Sequence, residues 1–338
     1  MAKLKDLGEL SLIRDLKDRF PLVGSEVVKG IGDDCAVLES GGEILLFTTD
    51  IMVEGVHFLE DSLDPASLAK KLLVVNLSDL AAMGGRAKAG LLTVALSAEI
   101  ETRFWETFVK ILSEEFIARR IDLIGGDTSS SPGPLILNLL LIGSVDAGNV
   151  LYRSGAKDGD LIFVSRTLGD SAAGLDLLSN PDLQSERTAF ESLISAHESP
   201  RAEEELGPFL AESGLVTAMI DVSDGLATDL AHLAEASGLG AEVYLKDLPI
   251  SEETILLGRI MKKDPVDWVL FGGEDYALLF TVEESQAIEL ENMVQEGMQR
   301  EIKLVGRMKA SPGLTGIDGE VRIELTGRGY EHFRSQGD

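Results

Sequence analysis

Apolar positions along this chain follow two different spacings. Residues 43–49 (EILLFTT) form a continuous apolar run, which predicts a buried strand ending at Asp50. The same signal recurs at 89–97, 121–124 and 134–145, and again at 160–165, 216–222, 276–282 and 302–307. Between these runs the spacing turns helical. Helices are expected at 11–20 with Ser11 as N-cap, at 64–83, 101–120 and 170–179, from Ser223-Asp224-Gly225 to Ser237, and at 283–297. Asp64-Pro65 is a helix-opening pair, and Gly84-Gly85 is a helix stop. Residues 180–200 read as a loop with a weak helix. Alternating strands and helices predict an α/β fold of the α+β type, in two domains with mixed β-sheets. An apolar strand gives way to Asp-Ala-Gly-Asn at 146–149, so the expected domains are 1–147 and 148–338.

Composition narrows the class. The 338 residues allow one large or two ordinary domains, at roughly 100–200 residues each. With 44% hydrophobic residues a full core is available. Against 30 Lys and Arg stand 58 Asp and Glu, a formal net charge of −28. That balance argues against nucleic acid or an anionic membrane as partner. It also means that phosphate-bearing substrates would need added cations, and a divalent metal is the obvious source. Cys35 is the single cysteine, so no internal disulfide forms, as suits a reducing compartment. No apolar stretch follows the first lysines, and no run approaches the ~18 residues of a membrane helix. A cytoplasmic protein is the expectation.

The candidate chemistry lies in acids placed after strands, beside glycine or a hydroxyl. They are Asp33-Asp34 in GIGDD, Asp50 after Thr48-Thr49, Asp127 after Gly125-Gly126, Asp221 and Asp224 around Ser223, and Glu274-Asp275 after Gly272-Gly273. Open α/β sheets bind ligands at strand ends. Carboxylate oxygens are what Mg²⁺ selects. Turn chemistry is the competing account of each single acid, but the recurrence points to a shared metal site. Asp79 lies in a helix that is apolar almost all round (LLVVNLSDLAAM), where a carboxylate is costly unless paired or metal-bound. The alternative is an Asp that caps the Gly84-Gly85 turn or pairs with a distant Arg. Arg153 could hold a phosphate or be a turn residue. His57 fits a structural residue or a ligand. Neither a G-x-x-x-x-G-K-[ST] loop, nor H-R-D and D-F-G, nor HExxH, nor G-x-S-x-G occurs.

Taken in order, nine motifs resemble the thiamine-monophosphate kinase family: GIGDDCA (30–36), TTD (48–50), GVHF (55–58), NLSDLAAMG (76–84), GGDT (125–128), RSGA (153–156), GDSAAGL (169–175), IDVSDGL (220–226) and GGEDY (272–276). The likeness extends to Gly329-Tyr330. It implies a fold like that of aminoimidazole ribonucleotide synthetase, with an N-terminal domain that binds ATP and Mg²⁺ and forms a homodimer. It implies transfer of a phosphoryl group from ATP to thiamine monophosphate, giving thiamine diphosphate. Carried over by motif, Asp34, Thr48, Thr49, Asp50, Asp79, Asp127, Asp221 and Asp224 would hold several Mg²⁺ ions. Gly126, Asp127, Arg153 and Ser223 would contact ATP. His57 and Glu274 would contact the substrate. The family often has an aromatic substrate contact three positions before the terminal tyrosine. Here that position is Gly327, and Tyr330 or Phe271 is the nearest candidate replacement. The attacking phosphate oxygen is already ionised near neutral pH, so no catalytic acid or base is assigned. Rival readings are the related ATP-dependent synthetases, selenophosphate synthetase, and a non-catalytic nucleotide-binding regulator.

Overall fold

The computed structural model describes residues 8–58 and 64–325. Gly327 and Tyr330 lie outside this set. The first half contains α1 (Glu9–Arg19), β1 (Val27–Lys29), β2 (Ala36–Ser40), β3 (Glu43–Val53), α2 (Pro65–Ala82), β4 (Arg86–Leu96), α3 (Thr102–Arg119), β5 (Asp122–Ser130) and β6 (Ile136–Val145). Its strands form one sheet in the order β1-β2-β3-β6-β4-β5. Only the β4–β5 pair is parallel; the other neighbours are antiparallel. The second half contains β7 (Leu161–Val164), α4 (Asp170–Ser179), α5 (Glu191–Glu198), α6 (Leu206–Ser213), β8 (Val216–Val222), α7 (Leu226–Ser237), β9 (Gly240–Tyr244), α8 (Glu252–Met261), α9 (Pro265–Phe271), β10 (Ala277–Val282), α10 (Ala287–Met298), β11 (Lys303–Lys309), β12 (Gly313–Asp318) and β13 (Val321–Glu324). Its sheet runs β13-β12-β9-β11-β7-β10-β8, with β12 and β9 parallel. The architecture is α/β with two mixed sheets. No helix among the described residues is long and apolar enough to cross a membrane.

Burial explains why the sheets differ. Every second residue of β6 is buried, so one face of the first sheet packs under α2 and α3 while the other stays open. On that open face Ile51 is exposed, and β5 at the edge is exposed along its whole length. In the second sheet β7 and β10 are buried at every position. Ile162 and Val164 face the core built on α7, whereas Leu161 and Phe163 face the core built on α6 and α10.

Helix α2 belongs to both halves. Asp64 caps it by accepting from the Ala66 and Ser67 N–H groups at 2.8 and 3.3 Å, and Pro65 occupies its first turn. Its Leu68, Leu72, Leu73 and Leu80 pack in the first core, while Ala81 and Ala82 enter the core of β7, β8, β10 and α6.

Several expectations need correction. Strand β3 does not end at Asp50, and β5 does not end before Gly125; both ladders continue, with Asp50 paired to Leu139 and Asp127 to Thr93. The first helix begins at Glu9 behind Gly8, with no side-chain cap, so Ser11 is not its N-cap. Residues 180–200 hold a 3₁₀ segment (Pro181–Phe190) and the whole of α5.

The α2–α6 contact is tight enough to test. A Cβ on Gly207 would sit 2.2 Å from the Ala81 carbonyl oxygen. Gly207→Ala should therefore cost about 1–3 kcal/mol, read from urea denaturation. Unchanged stability would mean that the two helices can separate freely.

Candidate active site

Three elements converge at the junction of the sheets. Residues Thr48 and Asp50 lie on the α2-facing side of β3. Thr48 donates its hydroxyl hydrogen to Asp79 Oδ2. The Asp50 N–H donates to Asn76 Oδ1 at 3.0 Å, and Asn76 Nδ2 donates back to the Leu72 carbonyl at 3.0 Å. Across the junction, Ser78 donates to Asp221 Oδ2 on β8 at 2.6 Å. From the loop before β2, Asp34 Oδ1 accepts from Arg153 Nη2 at 2.7 Å and Nε at 3.2 Å. Asp34 Oδ2 is buried and has no hydrogen-bond partner among the described residues. One carboxylate oxygen each from Asp34, Asp79 and Asp221 lies within 4.8 Å of the others. Among the described residues the Asp79 side chain bonds Thr48, and it neither caps the Gly84 turn nor pairs with an arginine.

Such a cluster is electrostatically loaded. Burial, then the Asp50, Asp221 and Asp34 charges, push the Asp79 carboxyl well above the usual range. Burial and Asp34 push Asp221 up to about 7. Burial and Asp224 push Asp50 up to about 6. Asp34 is also raised, because burial outweighs its arginine. Crowded hard oxygen donors, one of them orphaned, fit Mg²⁺ well.

Beside the cluster, two loops interlock. After β8, the Ser223 and Asp224 N–H groups both donate to Asp229 Oδ2 at 3.1 Å. Asp229 is buried, and burial with the nearby Asp224 charge raises its carboxyl well above normal. The Glu274 N–H donates to the Ser223 carbonyl at 2.7 Å. Glycine is needed here for loop packing: a Cβ on Gly225 would lie 2.6 Å from the Gly272 oxygen, and one on Gly273 would lie 2.4 Å from the Ser223 oxygen. Asp229 was not singled out from sequence. Its signal was an acid four residues after Gly225, in the first helical turn.

Glu274 is the opposite case. Burial works to raise its carboxyl, but the Lys71 ammonium and His197 hold it at about 2. Lys71 Nζ lies 2.9 Å from Glu274 Oε2, and His197 Nδ1 lies 3.0 Å from the same oxygen. Sequence reasoning missed both partners. The signal for Lys71 was a charged residue in an almost wholly apolar helix.

The remaining candidates are dispersed. Thr49 is on the open face of β3, where it accepts from Asn138 Nδ2 at 2.9 Å. A row across the sheet joins Ile51, Asn138, Thr93 and Asp127, so Gly126 and Asp127 lie on the edge strand with two strands between them and β3. Within one chain Asp127 is apart from the other acids. His57 Nδ1 accepts the Val53 N–H at 3.0 Å, which leaves the proton of a neutral ring on Nε2. Cys35 is a buried apolar residue.

The raised carboxyls predict a pH response of the metal-free protein. Below the ordinary value of 3.8 such a group is protonated folded or unfolded, and its burial costs no charge. Stability then falls as pH rises, and the loss is complete above the folded value, about 6 for Asp50 and about 7 for Asp221. In chelator, Asp79→Asn should raise the Tm at pH 8 and do so less at pH 4. A lower Tm at pH 8 would show that the carboxylate braces the metal-free fold.

Comparisons with known proteins show the family. Residues 32–145 match the family model "AIR synthase related protein, N-terminal domain", and residues 157–319 match "AIR synthase related protein, C-terminal domain". The chain is 41% identical over 330 residues to the thiamine-monophosphate kinase of Salmonella typhimurium, covering 96% of this chain and 98% of that one. It is 34% identical to the thiamine-monophosphate kinase of Aquifex aeolicus, covering 98% and 100%. A solved structure described as "AaThiL complexed with AMPPCP and TMP" superposes with a TM-score of 0.83 at 32% identity, covering 98% and 99%. The chain therefore belongs to the AIR synthase related proteins and, among them, to the thiamine-monophosphate kinase family.

Proposed function

We propose that this chain transfers the terminal phosphoryl group of ATP directly and in line to thiamine monophosphate, assisted by several Mg²⁺ ions. The observation that carries the reading is the Asp34, Asp79 and Asp221 cluster, which draws carboxylates from both halves of the chain around one orphaned oxygen. Asp34, Thr48, Asp50, Asp79, Asp221 and Asp224 would hold the metal, with Thr49 and Asp127 as further ligands by motif. Bound Mg²⁺ supplies the positive charge that lets two phosphates approach. The side chains themselves bind and align. Ser223 and Gly126 would contact the nucleotide. Arg153 would turn to its phosphates once Asp34 faces a cation instead of the guanidinium. His57 and Glu274 would contact thiamine monophosphate, with position 327 lacking an aromatic side chain. No residue needs to take a proton from the acceptor, which is ionised before it attacks.

The reading extends to assembly. Residues 1–147 would form the nucleotide and dimerisation domain, and residues 148–338 the second domain. The open face of the first sheet and the exposed apolar Leu123 and Ile124 on β5 support a homodimer through this surface. Asp127 would reach a metal site only across such an interface.

Incubation with ATP, Mg²⁺ and thiamine monophosphate should yield thiamine diphosphate, and chelator should abolish the yield. Asp79→Asn should lower kcat by about a hundredfold or more without loss of fold. Intact nucleotide binding with no product would overturn the kinase reading in favour of a regulator.

A further inference from the structure

We propose that Lys71 is a positioning residue that sets the Glu274 carboxylate for the substrate at a fixed distance from the acidic cluster. This rests on the reading of Glu274 as a substrate contact. Lys71 is 1% exposed and is among the largest fully buried side chains. An ammonium in such a place is costly unless paired, and Glu274 Oε2 at 2.9 Å is the partner it hydrogen-bonds. A methionine or leucine would fill the space without that cost, so the charge needs another reason.

The geometry supplies one. Lys71 and Ser78 are seven residues apart, two turns along one face of α2. Both reach into the second half of the chain, Lys71 to Glu274 and Ser78 to Asp221. Between them Val74 and Val75 pack on Tyr276. Asp79 stands about 12 Å along the axis from Lys71, at 1.5 Å per residue. The helix thus acts as a ruler between the metal-binding acids and the substrate carboxylate. Glu274 itself is fixed in backbone, with φ at 65° and its N–H on the Ser223 carbonyl. Lys71 and His197 both take Oε2, so Oε1 is the oxygen that a ligand donor would meet. Of the other charged groups, Glu198 also lies within the field of Lys71.

Steady-state kinetics of Lys71→Met, Glu274→Gln and the double variant test this, with Tm measured for each. Lys71→Met should raise the KM for thiamine monophosphate on the order of tenfold. Its kcat and its KM for ATP should stay within about twofold of the parent. In the Glu274→Gln background the same change should add no more than about twofold, because Lys71 acts through that carboxylate. An unchanged substrate KM, a parallel loss in kcat and in the KM for ATP, or an equal rise in the Glu274→Gln background would each overturn the proposal. Glu274→Gln with an unaltered substrate KM would instead remove the reading of Glu274 on which it stands. Should Lys71→Met not fold, Lys71→Gln keeps a donor without the charge and is held to the same outcomes.

Discussion

The structure depends on the burial of α2 between two sheets. A helix apolar on nearly every side has no stable place at a surface, so both halves of the chain must close on it. That closure gives the polar side chains of α2 little freedom. Those that point inward find partners in the interior: Asn76 takes β3 at Asp50, Ser78 takes Asp221, Asp79 takes Thr48, and Lys71 takes Glu274. The same packing that makes the fold therefore brings acids from four separate stretches of chain to one helix.

This convergence costs stability. Burial and mutual repulsion raise Asp34, Asp50, Asp79 and Asp221 together, and Arg153 is the one arginine bonded to any of them among the described residues. Nothing about a net charge of −28 requires such an arrangement, because surface carboxylates spread apart and stay solvated. A fold that keeps charged oxygens crowded in its interior is one in which a bound cation can offset the strain. The local geometry, not the total charge, carries the chemical message.

Much of this was legible in the sequence. The caps of α2, the apolar run of β8 and the end of α7 at Ser237 are strong local signals, and they fall where expected. Short elements such as β9, α6, α8 and α9 were not read, because their burial comes from packing that local patterns do not encode. Acids were expected after strands, and Asp34, Asp224 and Glu274 do sit in loops. Asp50 and Asp127 sit inside β3 and β5, because the ladder to a neighbouring strand continues past a polar side chain that has somewhere to point. Asp229 and Lys71 were missed for another reason. Lys71 acts on Glu274, distant in sequence, and Asp229 acts on the backbone N–H groups of Ser223 and Asp224, so only the folded chain shows what each holds.

The contrast between Glu274 and Asp221 shows how one site divides its labour. Asp221 is buried and Glu274 partly so, and desolvation pushes both carboxyls upward. Asp221 faces mostly other acids and is pushed up to about 7, while Glu274 faces Lys71 and His197 and is held at about 2. A group of the first kind gains when a cation arrives. A group of the second kind already has its counter-charge and gains little from a metal. Held two turns apart along one face of the same helix, the two carboxylates are thus driven in opposite directions by the identity of the charges that each one meets.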